Sequence, residues 1–132
     1  MTTATRSILA TVPATAVLVA KDANRAWAFY HDTLGLDTEW VGGLPGNFTV
    51  HAGGGSSFLV YEGSAKAGEN TVMGFRVDDL DAAMADLRGH GVTFEDYDLP
   101  GLKTVNGVAT MGAAKSAWFR DSEGNIISVN QM

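Results

Sequence analysis

The chain repeats itself, and that repeat limits what it can fold into more than any single motif does. An apolar run precedes a helix-capping aspartate twice, in "TAVLVAKD" ending at Asp22 and in "VMGFRVDD" ending at Asp79. The two aspartates are 57 positions apart (79 − 22), so Thr15 pairs with Val72 and Val17 with Gly74. A carboxylate at such a position can accept the unpaired backbone N–H groups of a first helical turn. Helical spacing follows both times. Ala23, Ala26, Trp27, Tyr30 and Leu34 share one face of "DANRAWAFYHDTLG", and Leu80, Ala83, Met84 and Leu87 share one face of "DLDAAMADLRGHG". Gly35 and Gly91 suit the left-handed turn that ends a helix.

Three strand-like runs follow each helix. The first half has "LDTEWV", "NFTVH" and "SSFLVYEG"; the second has "VTFEDY", "SAWFRD" and "NIISVN". Gly, Pro, Asp and Ser fill the connections, as hairpin turns require. Each half therefore reads as βαβββ, with one helix covering one face of its strands. The expected fold is α+β, with two paired βαβββ modules, about residues 12–64 and 70–132, forming a curved mixed sheet around a cavity. At 132 residues and 45% hydrophobic content, residues 1–132 fit a single domain. "PGLKTVNGVATMGAAK", from Pro100 to Lys115, interrupts the second half. It reads either as a binding loop or lid, or as a plain surface loop with a short strand in "GVATMG".

Strand side chains alternate between faces. Ala16, Leu18 and Ala20, with Met73, Phe75, Val77, Ile127 and Val129, fall on the helix side. The opposite set is Thr15, Val17 and Val19; Ser56, Phe58 and Val60; Val72, Gly74 and Arg76; and Ile126, Ser128 and Asn130. Such a wall is mostly apolar with a few hydroxyl and amide groups, which is the make-up of a small-molecule pocket. Trp40, Phe48, Tyr97 and Trp118 offer flat surfaces there or ordinary core packing. Arg76 offers a cation to an anionic ligand, or a bridge to Asp78 or Asp79.

Composition removes several classes of function. The absence of cysteine excludes disulfides, thiolate zinc sites and cysteine nucleophiles. A formal charge of -6 without a basic stripe argues against nucleic acid, whose phosphates need clustered Lys and Arg. The N-terminal "ILATVPATAVLVA" makes a poor signal peptide, since only Arg6 is basic and Pro13 breaks the run. It is too short to span a bilayer and is expected to be a buried strand of a cytoplasmic protein.

Three motifs in this order resemble the vicinal oxygen chelate superfamily, which includes glyoxalases, bleomycin-resistance proteins and dihydroxybiphenyl dioxygenases. They are "DANRAWAFYHDTLGL", "FRVDDLDAAMADLRGHGV" and "AWFRDSEGNIISV", the last with Ser122 where proline is usual. The resemblance implies a metal held by His, Gln or Glu early in each module's first strand and by Glu within each last strand. The matching positions here are Thr15, Val72, Ser128 and, by a looser alignment, Phe58. Neutral hydroxyls are poor ligands for a first-row metal, and Val and Phe offer no donor. His31, His51 and His90 fall on a helix surface, a strand end and a helix end, and do not replace the set. We therefore expect no metal or other cofactor and assign no catalytic residue.

The sequence thus points to a metal-free protein that binds a small molecule, of the bleomycin-resistance or sequestering kind. Its expected ligand-binding residues are Thr15, Val17, Trp40, Phe58, Val72, Arg76, Tyr97, Trp118, Ser128 and Asn130. The resemblance leaves open a glyoxalase-like lyase or dioxygenase, and it implies a homodimer. No membrane or nucleic-acid partner is expected.

Overall fold

The computed structural model describes residues 5–132. In the first half, β1 (Val17–Ala20) leads into α1 (Ala23–Ala28), followed by β2 (Asp37–Trp40), β3 (Asn47–His51) and β4 (Ser57–Glu62). In the second, β5 (Thr71–Arg76) leads into α2 (Leu80–Gly89). A two-stranded hairpin of β6 (Asp98–Leu99) and β7 (Leu102–Lys103) comes next, then β8 (Ala109–Met111), β9 (Ala114–Arg120) and β10 (Ile126–Gln131). The strands form two four-stranded mixed sheets with matching orders, β1-β4-β3-β2 and β5-β10-β9-β8. The outer pairs β1/β4 and β5/β10 are parallel, and the other ladder pairs are antiparallel.

Both expected caps form. The Asp22 carboxylate accepts the Arg25 N–H, and that of Asp79 accepts the Ala82 N–H, each at 3.1 Å. A second device is also repeated. The last residue of each half's final strand reaches the first residue of its helix: Glu62 Oε2 accepts Ala23 N–H at 2.9 Å, and Gln131 Oε1 accepts Leu80 N–H at 2.8 Å. Two N–H groups that a helix start leaves without partners are thereby satisfied. The first helix does not run regularly to Gly35. Its end widens into a π turn, Phe29–Thr33, with Leu34 N–H donating to Phe29 C=O.

One core joins the halves. Leu18, Val60, Phe48 and Val50 from the first sheet and Ala117, Phe119, Ile127 and Val129 from the second are buried with Tyr30, Leu80 and Met84. Phe58 meets Phe75 edge-on at 6.2 Å, so the helix-side faces of the two sheets share a contact. A polar latch closes the same junction. The Tyr30 hydroxyl donates to Asp121 Oδ2 at 2.6 Å, and Asn125 Nδ2 donates to both Asp121 Oδ2 and Val19 C=O. Arg25 pairs with Glu123 at 2.7 Å.

The structure differs from the sequence expectation in two places. "VTFEDY" forms no strand; its ladder pairing with β9 is one isolated bridge, Phe94 to Phe119. Beside β9, its place is shared with β8 inside "GVATMG", and residues 97–108 leave and rejoin the sheet edge between them. Asp96 ties the base of this excursion, its Oδ1 accepting from Thr104 Oγ1 and Gly107 N–H, both at 2.8 Å. The N-terminal apolar run is not a buried strand before Val17. Ile8–Thr11 is a 3-10 turn capped by Ser7, with Ile8 and Leu9 exposed. The two paired βαβββ modules are as expected, each contributing one four-stranded mixed sheet.

Candidate functional site

The candidate site lies on the sheet faces turned away from the helices, and strand register assigns its members. In the second sheet Ser128 stands opposite Gly74 on one side and Trp118 on the other, and Asn130 stands between Arg76 and Ser116. Directly paired residues share a face. Gly74, Arg76, Ser116, Trp118, Ser128 and Asn130 therefore form one patch. A register shift beside Ile126 and Ile127 leaves Val72 unpaired at its end, 42% exposed. Tyr97, carried by the excursion, meets the Trp118 ring edge-on at 5.7 Å. Burial raises the pKa of its hydroxyl, and the nearby Glu95 carboxylate adds to the shift.

In the first sheet the equivalent face carries Val17 beside Leu59 and Val19 beside Tyr61. Thr15 precedes β1 and is exposed. Phe58 is not on this face. It is 3% exposed in the core, opposite Val50 and in contact with Tyr30 and Phe75. Trp40 is likewise displaced, since it lies opposite Phe48 and packs on that ring at 5.1 Å, on the core side of an edge strand. Val60 and Ile126, also assigned to the open face, are buried as well. The expected residues thus separate into a second-sheet cluster of Val72, Arg76, Tyr97, Trp118, Ser128 and Asn130, a first-sheet position at Val17, and Thr15 just before it.

Gly74 and Ser116 belong to the patch, and Leu59 and Tyr61 to the equivalent first-sheet face, but none of them was assigned to binding. The run from Phe58 to Tyr61 is apolar at every position, so alternation gives no sign of which face is which. The paired caps would have fixed the register: Glu62 and Gln131 are equivalent, which makes Leu59 the counterpart of Ser128.

Register therefore replaces Phe58 with Leu59 in the set matched to metal ligands, which becomes Thr15, Leu59, Val72 and Ser128. Two have no donor atom and two offer only neutral hydroxyls, so this set does not fit a first-row metal. Among the described residues, no three His, Asp or Glu side chains lie close enough to share an ion. His31 bonds Asp32 and stacks on Trp27, while His51 and His90 sit 3.8 Å from Glu39 and Asp86; all three are exposed.

These open faces are not enclosed in the single chain. Val17 is 55% exposed, and Gly74 and Arg76 are also accessible. Where the two sheets approach, a cleft of about 350 Å³ lies between Val19, Lys21, Lys66 and Arg120. A separate apolar groove of about 260 Å³, lined by Leu34, Leu36, Phe75 and Leu87, lies on the helix side.

Residues 12–129 match the family model described as the glyoxalase/bleomycin resistance protein/dioxygenase superfamily. The chain belongs to this superfamily. Among solved structures, it resembles a superfamily member from Sphaerobacter thermophilus DSM 20745 with a TM-score of 0.67 and 23% identity, covering 92% of this chain and 99% of that one. A glyoxalase/bleomycin resistance protein from Streptomyces sp. CB03234 gives a TM-score of 0.63 and 26% identity, covering 89% of this chain and 100% of the other. TnmS3, described as an antibiotic binding protein from the same Streptomyces strain, gives 0.62 and 24%, covering 91% and 96%. No curated protein matches the chain. No described helix of this superfamily member is long and apolar enough to cross a membrane.

Proposed function

We propose that the protein binds a small organic molecule without a metal and acts by holding it rather than transforming it. One observation carries this reading: Thr15, Val72 and Ser128, matched by the resemblance to metal ligands, and Leu59, the register equivalent of Ser128, supply no imidazole and no carboxylate. Without a Lewis acid, chemistry at this face would need a side chain able to move protons. The nearby carboxylates are committed elsewhere, Glu62 to the α1 N-terminus and Glu95 to Arg120. The face offers apolar area at Val17, Leu59 and Val72 and flat area at Trp118. A few donors then fix orientation, the usual division of labour in a ligand site. The description of TnmS3 as antibiotic binding supports a sequestering role.

The partner in this reading is a small molecule, not a nucleic acid or a membrane. The protein functions as a homodimer in the cytoplasm, with the exposed faces around Val17 and Val72 closed by a second copy. Native mass spectrometry before and after incubation with Ni, Zn, Mn and Fe(II), alongside a broad ligand screen by thermal shift, tests the proposal. We expect no stoichiometric metal and saturable binding of at least one class of organic ligand. One tightly held metal per site, or a screen with no saturable binding, would overturn it.

A further inference from the structure

The cleft of about 350 Å³ where the two sheets approach differs in charge from the rest of the molecule. The chain is acidic, with a formal charge of -6, yet three of its nine Lys and Arg residues line this one space. Lys21 follows β1, Lys66 lies in the segment that joins the halves, and Arg120 ends β9. The wall holds one carboxylate, Glu123, and its charge is already matched. Arg25 pairs with it, and Asp22 N–H donates to it at 2.8 Å.

The three cations are held differently. Among the described residues, Lys21 and Lys66 form no ion pair, so two positive charges in the cleft stand unmatched. Arg120 is fixed in place, its Nε donating to Glu95 and its Nη1 to Gly124 C=O at 3.1 Å. A guanidinium carries more N–H donors than those two bonds use. The joining segment adds further donors. Gly63 N–H donates to Ala20 C=O, whereas the N–H groups from Ser64 to Ala67 donate to no backbone carbonyl among the described residues. This segment lies against the final hairpin: a Cβ built on Gly124 would be 3.7 Å from that of Ala67.

Two unmatched ammonium groups, a fixed guanidinium and a run of unused N–H groups suit an acceptor with several oxygens and two negative charges. A carboxylate would leave one ammonium unmatched. A phosphate monoester loses its second proton near pH 6 and presents a dianion above it. Resting on the binding function proposed above, we infer that this cleft receives the phosphate group of a small phosphorylated molecule. Lys21 and Lys66 match its charge, Arg120 donates to its oxygens, and the organic part rests on Val19 and Ala65. The acidic surface elsewhere repels such a ligand, which favours the cleft as its one point of attachment.

Amide NMR titration of the wild-type protein at about pH 8 with phenyl phosphate, phenyl sulfate, inorganic phosphate and phenol tests this. Phenyl sulfate keeps the shape of phenyl phosphate with one charge fewer. We expect saturable shifts at the amides of residues 64–67 and Gly124, with phenyl phosphate bound about tenfold tighter than phenyl sulfate and phenol moving none of them. Added salt should weaken the binding. The double variant Lys21→Gln/Lys66→Gln changes two exposed side chains, and it should remove the preference for phosphate over sulfate. Equal affinity for phenyl phosphate and phenyl sulfate, or a preference unchanged in the double variant, would mean diffuse attraction only and end the inference. Inorganic phosphate bound as tightly as phenyl phosphate would assign the cleft to the free ion and overturn the ester. If an organic ligand emerges from the broad screen while phenyl phosphate shifts none of these amides, the phosphate site fails and metal-free binding stands. No saturable binding in either experiment would count against both.

Discussion

Glu123 lies at the turn of the final hairpin with its side chain 1% exposed, yet it is charged. Its pKa is lowered to about 2, chiefly by the hydrogen bond from Arg25, with smaller help from Asp22 N–H and Ser122. A carboxylate with a depressed folded-state value stabilises the fold fully above its unfolded value of 4.5, and that contribution is lost as pH falls toward 2. Urea midpoints should therefore fall between those limits. Glu123→Gln should flatten that slope, by about 1–2 kcal/mol after allowing for solvent screening. Tyr30 is the second residue of this junction. Burial raises its pKa well above the usual value, and the Asp121 charge reinforces the shift, so the hydroxyl stays protonated and donates. Tyr30→Phe would leave Asp121 Oδ2 with Asn125 alone and should cost about 1.5–3 kcal/mol in urea unfolding.

Among the elements, the helices were legible because their signals are local. Asp22 and Asp79 cap as expected, and the faces of α2, β1, β5 and the Ile127–Val129 stretch of β10 fall where alternation places them. Removing the Asp79 cap with Asp79→Ala should destabilise by about 1 kcal/mol, read as a lower thermal midpoint. The strand face containing Phe58 was not legible, since four consecutive apolar residues carry no period. Gly54, matched to Gly124 in the looser alignment that gave Phe58, lies in the Gly53–Gly55 turn before β4 and is a poor landmark. The divided edge strand of the second half was hidden for another reason. Asp96 and Thr104 close the excursion through side-chain bonds between residues that no local pattern connects. Thr104→Val should speed hydrogen exchange at Tyr97 and Gly107, leaving β9 and β10 protected, because the amides of Tyr97 and Gly107 depend on Thr104 and Asp96.

At the scale of the whole molecule, the two halves share a core on one side and leave their other faces open. Exposed apolar residues such as Val17 and Val72 on these open faces favour association. Sedimentation should give a species of twice 13.9 kDa, and Leu59→Arg should return it to the single-chain mass without lowering its thermal midpoint. A wild-type monomer at micromolar concentration would argue against the dimer. The repeat supplied this architecture from sequence alone, but which residues close the open face depends on register, a property of the paired strands rather than of either strand alone.

The excursion of residues 97–108 departs from and returns to one carboxylate, Asp96, and brings Tyr97 against Trp118 on the open face. Its length and composition can therefore drift without altering the ladder that supports it. Under the proposed binding function, that makes this segment a cassette: rewriting it would change what the open face meets while keeping the scaffold unchanged. For the engineer it marks a grafting site, where a library of inserts can be anchored on Asp96 and Gly107 and selected for new ligands.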